Sequence, residues 1–90
     1  MNVIFQKKQM QSILESIASE QELKLEAYDM QLHIMFKDKR TLNMYVTIQD
    51  PGLVIVNSRI LLTQVAACEG SLGLICLESY NDRDYQVTSL

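Results

Sequence analysis

From Met30 to Gln49 the chain alternates apolar and polar residues with a period of two, broken once by the charged segment Asp38-Lys39-Arg40-Thr41. Successive side chains of a strand point to opposite faces, so the pattern predicts two half-buried strands joined as an antiparallel hairpin. Met30, Leu32, Ile34 and Phe36 of the first strand are expected to face inward, as are Leu42, Met44, Val46 and Ile48 of the second. Leu25 and Ala27 have the opposite parity, which predicts either a bulge near Tyr28 and Asp29 or a short separate strand before them.

The partner layer is predicted upstream. Met10, Ile13, Leu14, Ile17 and Ala18 recur at helical spacing, which places an amphipathic helix over Gln6 to Glu20 with this stripe against the sheet. Lys7 and Lys8 near its start, and Glu20 and Glu22 near its end, oppose the helix dipole, so tertiary packing must hold it. Asp50-Pro51-Gly52-Leu53 fits a type II turn, with proline presetting the first central φ and glycine accepting the second. Leu53-Val54-Ile55-Val56 follows, apolar on both faces, as expected of a central strand. Residues 58–69 read either as a continuation of that strand or as a helix; helical spacing of Leu61, Gln64, Val65 and Cys68 before Gly70 favours a helix over Leu61–Glu69. Leu72–Tyr80 and Asp84–Thr88 form a last hairpin around Asn81-Asp82-Arg83, and no internal repeat is evident. The sum is a single α+β domain over residues 1–90: an N-terminal amphipathic helix on a largely antiparallel sheet of about five strands, with a short second helix.

Composition narrows the function classes. Apolar residues make up 48% and charged residues 21% of the chain, as in ordinary globular domains. The net charge of −3 hides an asymmetry, since the only basic cluster, Lys37, Lys39 and Arg40, sits at a hairpin tip and the second half of the chain is acidic. Duplex binding requires a basic face, so no nucleic-acid partner is expected. The window Ile60 to Leu77 carries Glu69 at mid-span, which argues against membrane insertion, and Val3, Ile4 and Phe5 are too short a run for a secretory signal. Cys68 and Cys76 lack the spacing of a zinc or redox motif and fit a reducing, cytoplasmic setting.

No catalytic, cofactor-binding or metal-ligating set emerges. His33 is the only histidine and sits on a polar strand face. Asn81, Asp82 and Asp84 lack the glycine and closing glutamate of a calcium loop, and Gly70-Ser71-Leu72-Gly73 lacks the lysine of a phosphate loop. No cofactor is therefore expected. Tyrosine supplies rigid amphipathic contact area and is enriched at interfaces, which makes Tyr45 and Tyr80 candidate interface residues. A short chain without Trp, with exposed sheet edges, is expected to form a homodimer.

Leu42-Asn43-Met44-Tyr45-Val46-Thr47-Ile48 followed by Leu53-Val54-Ile55-Val56, within the order helix, three strands, helix, two strands, resembles class I type III secretion chaperones and their uncharacterised bacterial relatives. The resemblance implies a homodimer whose apolar patches hold an unfolded segment of a partner, without catalysis. The leading expectation is a non-enzymatic protein-binding module, chaperone-like or regulatory. The alternatives are a small enzyme using Cys68 or Cys76 with His33, and a structural subunit or immunity-type inhibitor whose acidic half meets a basic partner.

Overall fold

The computed structural model describes residues 1–90. The strands are β1 (Asn2–Gln6), β2 (Glu22–Tyr28), β3 (Gln31–Met35), β4 (Thr41–Tyr45), β5 (Thr47–Asp50), β6 (Gly52–Asn57), β7 (Leu74–Ser79) and β8 (Tyr85–Ser89). Two nine-residue helices, α1 (Lys7–Glu15) and α2 (Ser58–Ala66), follow β1 and β6 without an intervening loop. The fold is α+β, but it has two four-stranded antiparallel sheets, ordered β5-β1-β7-β8 and β4-β3-β2-β6, where a single sheet of about five strands was expected. One core of eighteen buried apolar side chains draws on both sheets and both helices. Neither helix is long and apolar enough to cross a membrane.

The first helix is shorter than expected mainly at its far end, and an unexpected strand precedes it. Val3 and Phe5 alternate with Ile4, and both are buried in β1, so the β-branched and aromatic run pairs with β5 and β7 before α1 begins. Met10 and Leu14 face the core as expected, and the helix stops at Ser16, whose hydroxyl donates to the Ile13 carbonyl at 2.6 Å. Ile17 still packs on the core, from the turn rather than from a fourth helical turn.

The parity change near Tyr28 marks a separate strand. Leu23, Leu25 and Ala27 point inward from β2, and a two-residue turn at Asp29-Met30 reverses the chain into β3, where Leu32 and Ile34 are buried. The turn carries Met30 out to 71% exposure, overturning its expected core position. The β3–β4 hairpin forms as expected, but the second alternating run is split at Val46: β4 stays beside β3 and β5 crosses to the other sheet. Pro51-Gly52 is likewise a corner between sheets, because β5 pairs with β1 and β6 with β2. Gly52 has φ +147°, beyond the type II value near +80°. A Cβ there would lie 3.2 Å from that of Met1.

The strand expected at the sheet centre is instead an edge. β6 buries Val54 and Val56 and half-covers Leu53 and Ile55, while the carbonyl of Asp82 accepts the Ile55 amide at 2.8 Å and closes part of its free side. Residues 58–66 are helical. The signal for the start is Asn57, whose side chain accepts from the amides of Arg59 and Ile60, both at 3.0 Å. The helix ends at Ala67, ahead of Gly70, and Gly70 instead makes room for the carbonyl of Leu90.

An internal repeat, absent from the reading of the sequence, organises all of this. The unit β1-α1-β2-β3 matches β6-α2-β7-β8: Val3 and Phe5 correspond to Val54 and Val56, Met10 and Leu14 to Leu61 and Val65, Leu23 and Leu25 to Ile75 and Leu77, and all twelve are buried. Each unit gives its first strand to the other unit's sheet, so β1 pairs with β7 and β6 with β2. The junctions are also equivalent. Lys7 N donates to Gly73 O and Ser58 N to Gln21 O, each at 2.9 Å, so each helix begins against the residue preceding the other unit's second strand. Lys7 Nζ lies 2.6 Å from the Cys68 carbonyl and 3.3 Å from that of Ala66, at the end of α2. Its charge at the start of α1 therefore favours the C-terminus of the neighbouring helix. The one buried polar side chain, Ser58, is satisfied as its Oγ accepts from Gln21 N at 3.0 Å.

Leu14→Ala should lower stability by about 2–5 kcal/mol, because the side chain is almost wholly buried between the units. Ile13→Ala should cost less, since Ile13 is only partly covered. Urea unfolding midpoints of the two variants check this ordering, and equal midpoints would contradict it.

Candidate functional site

The outward face of the β4-β3-β2-β6 sheet gathers the least explained side chains. Its register places Tyr45, Gln31 and Tyr28 in one cross-strand row and Asn43, His33 and Glu26 in the next. The Tyr28 ring stacks on His33 with centroids 3.9 Å apart and planes inclined at 17°. His33 Nδ1 lies 2.9 Å from Asn43 Oδ1. Its Nε2 is buried without a partner. The ring thus serves as a platform for Tyr28, with Nε2 shut off from solvent and Nδ1 beside Asn43.

Met30 completes the corner. Asp29 and Met30 adopt φ values of +51° and +62°, the left-handed pair of a type I′ turn that favours glycine at the second position. A side chain in that region costs roughly 1–2 kcal/mol, and here the chain holds an exposed thioether at that cost. Val46 N donates to Met30 O at 3.2 Å, which brings the end of β4 against the turn. Tyr28, Met30 and Tyr45, respectively 45%, 71% and 74% exposed, thus lie at one corner of this sheet.

The two tyrosines singled out as interface residues do not meet. Tyr45 ends β4 in one sheet, whereas Tyr80 follows β7 in the other and is the repeat counterpart of Tyr28. The Tyr80 hydroxyl lies 3.0 Å from Gln86 Oε1 and 3.4 Å from Glu78 Oε1. Desolvation and the Glu78 carboxylate raise its pKa. Met30 was missed because alternation alone assigned it to the core. The missed signal was Asp-Met between two strands of opposite parity, which already requires a tight turn.

The thiols and carboxylates are occupied elsewhere. Cys76 Sγ lies 3.2 Å from Asn2 Oδ1, and burial followed by the charge of Glu78 pushes this thiol up, away from the thiolate form a nucleophile needs. Cys68 Sγ faces the Gln64 carbonyl at 3.4 Å. His33 belongs to β3 and Cys76 to β7, in different sheets, so the structure does not bring a cysteine–histidine pair together through strand pairing. Asn81 Oδ1 accepts from the amides of Arg83 and Asp84, both at 2.8 Å, which accounts for the apparent calcium-loop residues as turn chemistry. Side chains offer no cluster of three or more groups suited to a metal ion. A hollow beside Glu22, Lys24 and Met35 has both of its carboxylates engaged: Glu22 pairs with Arg83 at 2.8 Å and Glu20 accepts from Asn57 at 2.8 Å.

Met30→Gly should raise stability by about 1 kcal/mol, because Asp-Gly is a preferred type I′ pair and the lost side chain is exposed. A lower thermal midpoint would show that Met30 supports the fold. Cys76 should alkylate more slowly than in the denatured chain at pH 8, its rate rising with pH as the raised pKa is approached; equal rates would contradict the burial argument. No family model matches this chain, and no curated protein matches it.

Proposed function

We propose that this chain is a non-enzymatic protein-binding module, chaperone-like or regulatory, that docks a protein partner on the Tyr28–Met30–Tyr45 corner. The observation that carries the reading is Met30, an apolar side chain held in solvent by a backbone conformation that disfavours it. Strain of this kind persists where a site needs a particular side chain in a particular place. Methionine adapts its shape to apolar partners and tyrosine adds rigid area, a combination suited to holding a peptide segment. The two free thiols suit the reducing cytoplasm. A second copy of the chain is proposed as a further partner, through a different surface.

A photoreactive amino acid replacing Tyr45 should cross-link a defined partner in the native cell, and Met30→Gly should reduce that yield several-fold while leaving the fold intact. The same probe replacing exposed Thr63 on α2 serves as the control. Equal cross-linking at both positions, or a yield indifferent to Met30→Gly, would defeat the proposal.

A further inference from the structure

We propose that the outer edge of β8 is a strand-acceptor site, and that its occupant is the β8 strand of a second copy, running antiparallel and centred on Val87. The argument rests on the internal repeat and is independent of the Tyr28–Met30–Tyr45 corner. Within the repeat, β8 corresponds to β3, with Tyr85 and Val87 matching Leu32 and Ile34. In the first unit β4 covers the outer edge of β3, and Leu32 and Ile34 are completely buried. The second unit has no strand in that place, and Tyr85 and Val87 remain only partly covered although both pack on the core.

The backbone phase of β8 follows from its ladder. Leu90 N donates to Leu74 O at 3.0 Å and Tyr80 N to Asp84 O at 2.9 Å, so the even-numbered positions face β7. An antiparallel ladder alternates, which turns the N–H and C=O groups of Tyr85, Val87 and Ser89 toward the vacant side. Antiparallel pairing of two β8 strands about Val87 sets Tyr85 opposite the partner's Ser89 and Val87 opposite the partner's Val87. Every outward amide then meets an outward carbonyl, and the core-facing row continues across the junction.

Charge selects this edge and this occupant. β5 carries Asp50 next to Pro51, β4 emerges from the charged Asp38–Arg40 turn, and the free side of β6 is partly taken by the Asp82 carbonyl. Natural edges are protected by such charges, prolines and covers. Tyr85-Gln86-Val87-Thr88-Ser89 itself carries no charge and no proline, and the carboxylate of the preceding Asp84 is held by Asn81 Nδ2 at 2.8 Å.

Gel filtration with light scattering on the full chain, from about 1 μM to about 1 mM, spans the range in which a short two-strand interface passes its midpoint. The mass should rise from 10.3 kDa toward twice that value. Ser89→Pro removes an outward amide that the fold does not use, in an edge strand that tolerates proline, and should weaken the association at least about tenfold. Hydrogen exchange on the unmodified chain gives a second readout: the Tyr85, Val87 and Ser89 amides should gain protection with concentration, while those of Gln86 and Thr88 stay protected throughout. A constant 10.3 kDa mass would overturn the proposal, as would a dimer that survives Ser89→Pro with those three amides unprotected.

Discussion

The structure depends on a reciprocal exchange of strands between two similar halves. β1 leaves its own unit to pair with β7, β6 leaves its own to pair with β2, and each continues directly into a helix. A nine-residue helix is too short to persist alone in water, and a three-stranded unit deprived of its neighbour would open the apolar face of its sheet. The exchange solves both problems. It ties the start of each helix to the opposite unit through the Lys7–Gly73 and Ser58–Gln21 backbone bonds, and it lets Met10, Leu14, Leu61 and Val65 close one core between two sheets. A chain of 90 residues without Trp thereby obtains a continuous core from medium-sized side chains.

The same symmetry isolates what is peculiar to each half. Tyr28 and Tyr80 occupy equivalent places, yet Tyr28 lies on a histidine while the Tyr80 hydroxyl is held by Gln86 and Glu78. The first unit turns through Asp29-Met30 with two left-handed residues, and the second through the Asx-bonded Asn81–Asp84 segment. The second arrangement shows that a turn between corresponding strands can be built without stranding an apolar side chain in solvent. Met30 is thus a departure within the molecule's own repeat, which gives the docking proposal its force.

Local patterning made much of the fold legible. The β3–β4 and β7–β8 hairpins, the inward row Leu32, Ile34 and Met44, and the helical stripe Met10 and Leu14 follow from periodicity, a strictly local property. What was not legible depends on long-range choices. Nothing local to Thr41–Asp50 says that the chain will change sheets at Val46, and Leu53–Val56 reads as central although it is an edge. The repeat escaped notice because its apolar pairs exchange one aliphatic for another, as in Met10 with Leu61 or Leu14 with Val65, while unequal loops shift the register. Identities such as Val3 with Val54 and Tyr28 with Tyr80 are too sparse to stand out before the topology aligns them. Of the site, Tyr45 could be read from its residue type and strand position, whereas Met30 required the turn.

If exchange of the first strands is what makes one protein of two halves, neither sheet can open without the other. Native-state hydrogen exchange in low denaturant measures this directly. The account predicts that the ladder amides of β1, β7, β2 and β6 share one opening free energy and one denaturant dependence, equal to those of global unfolding. A β1–β7 set that opens at distinctly lower free energy than the β2–β6 set would show two separable units, and would contradict the account.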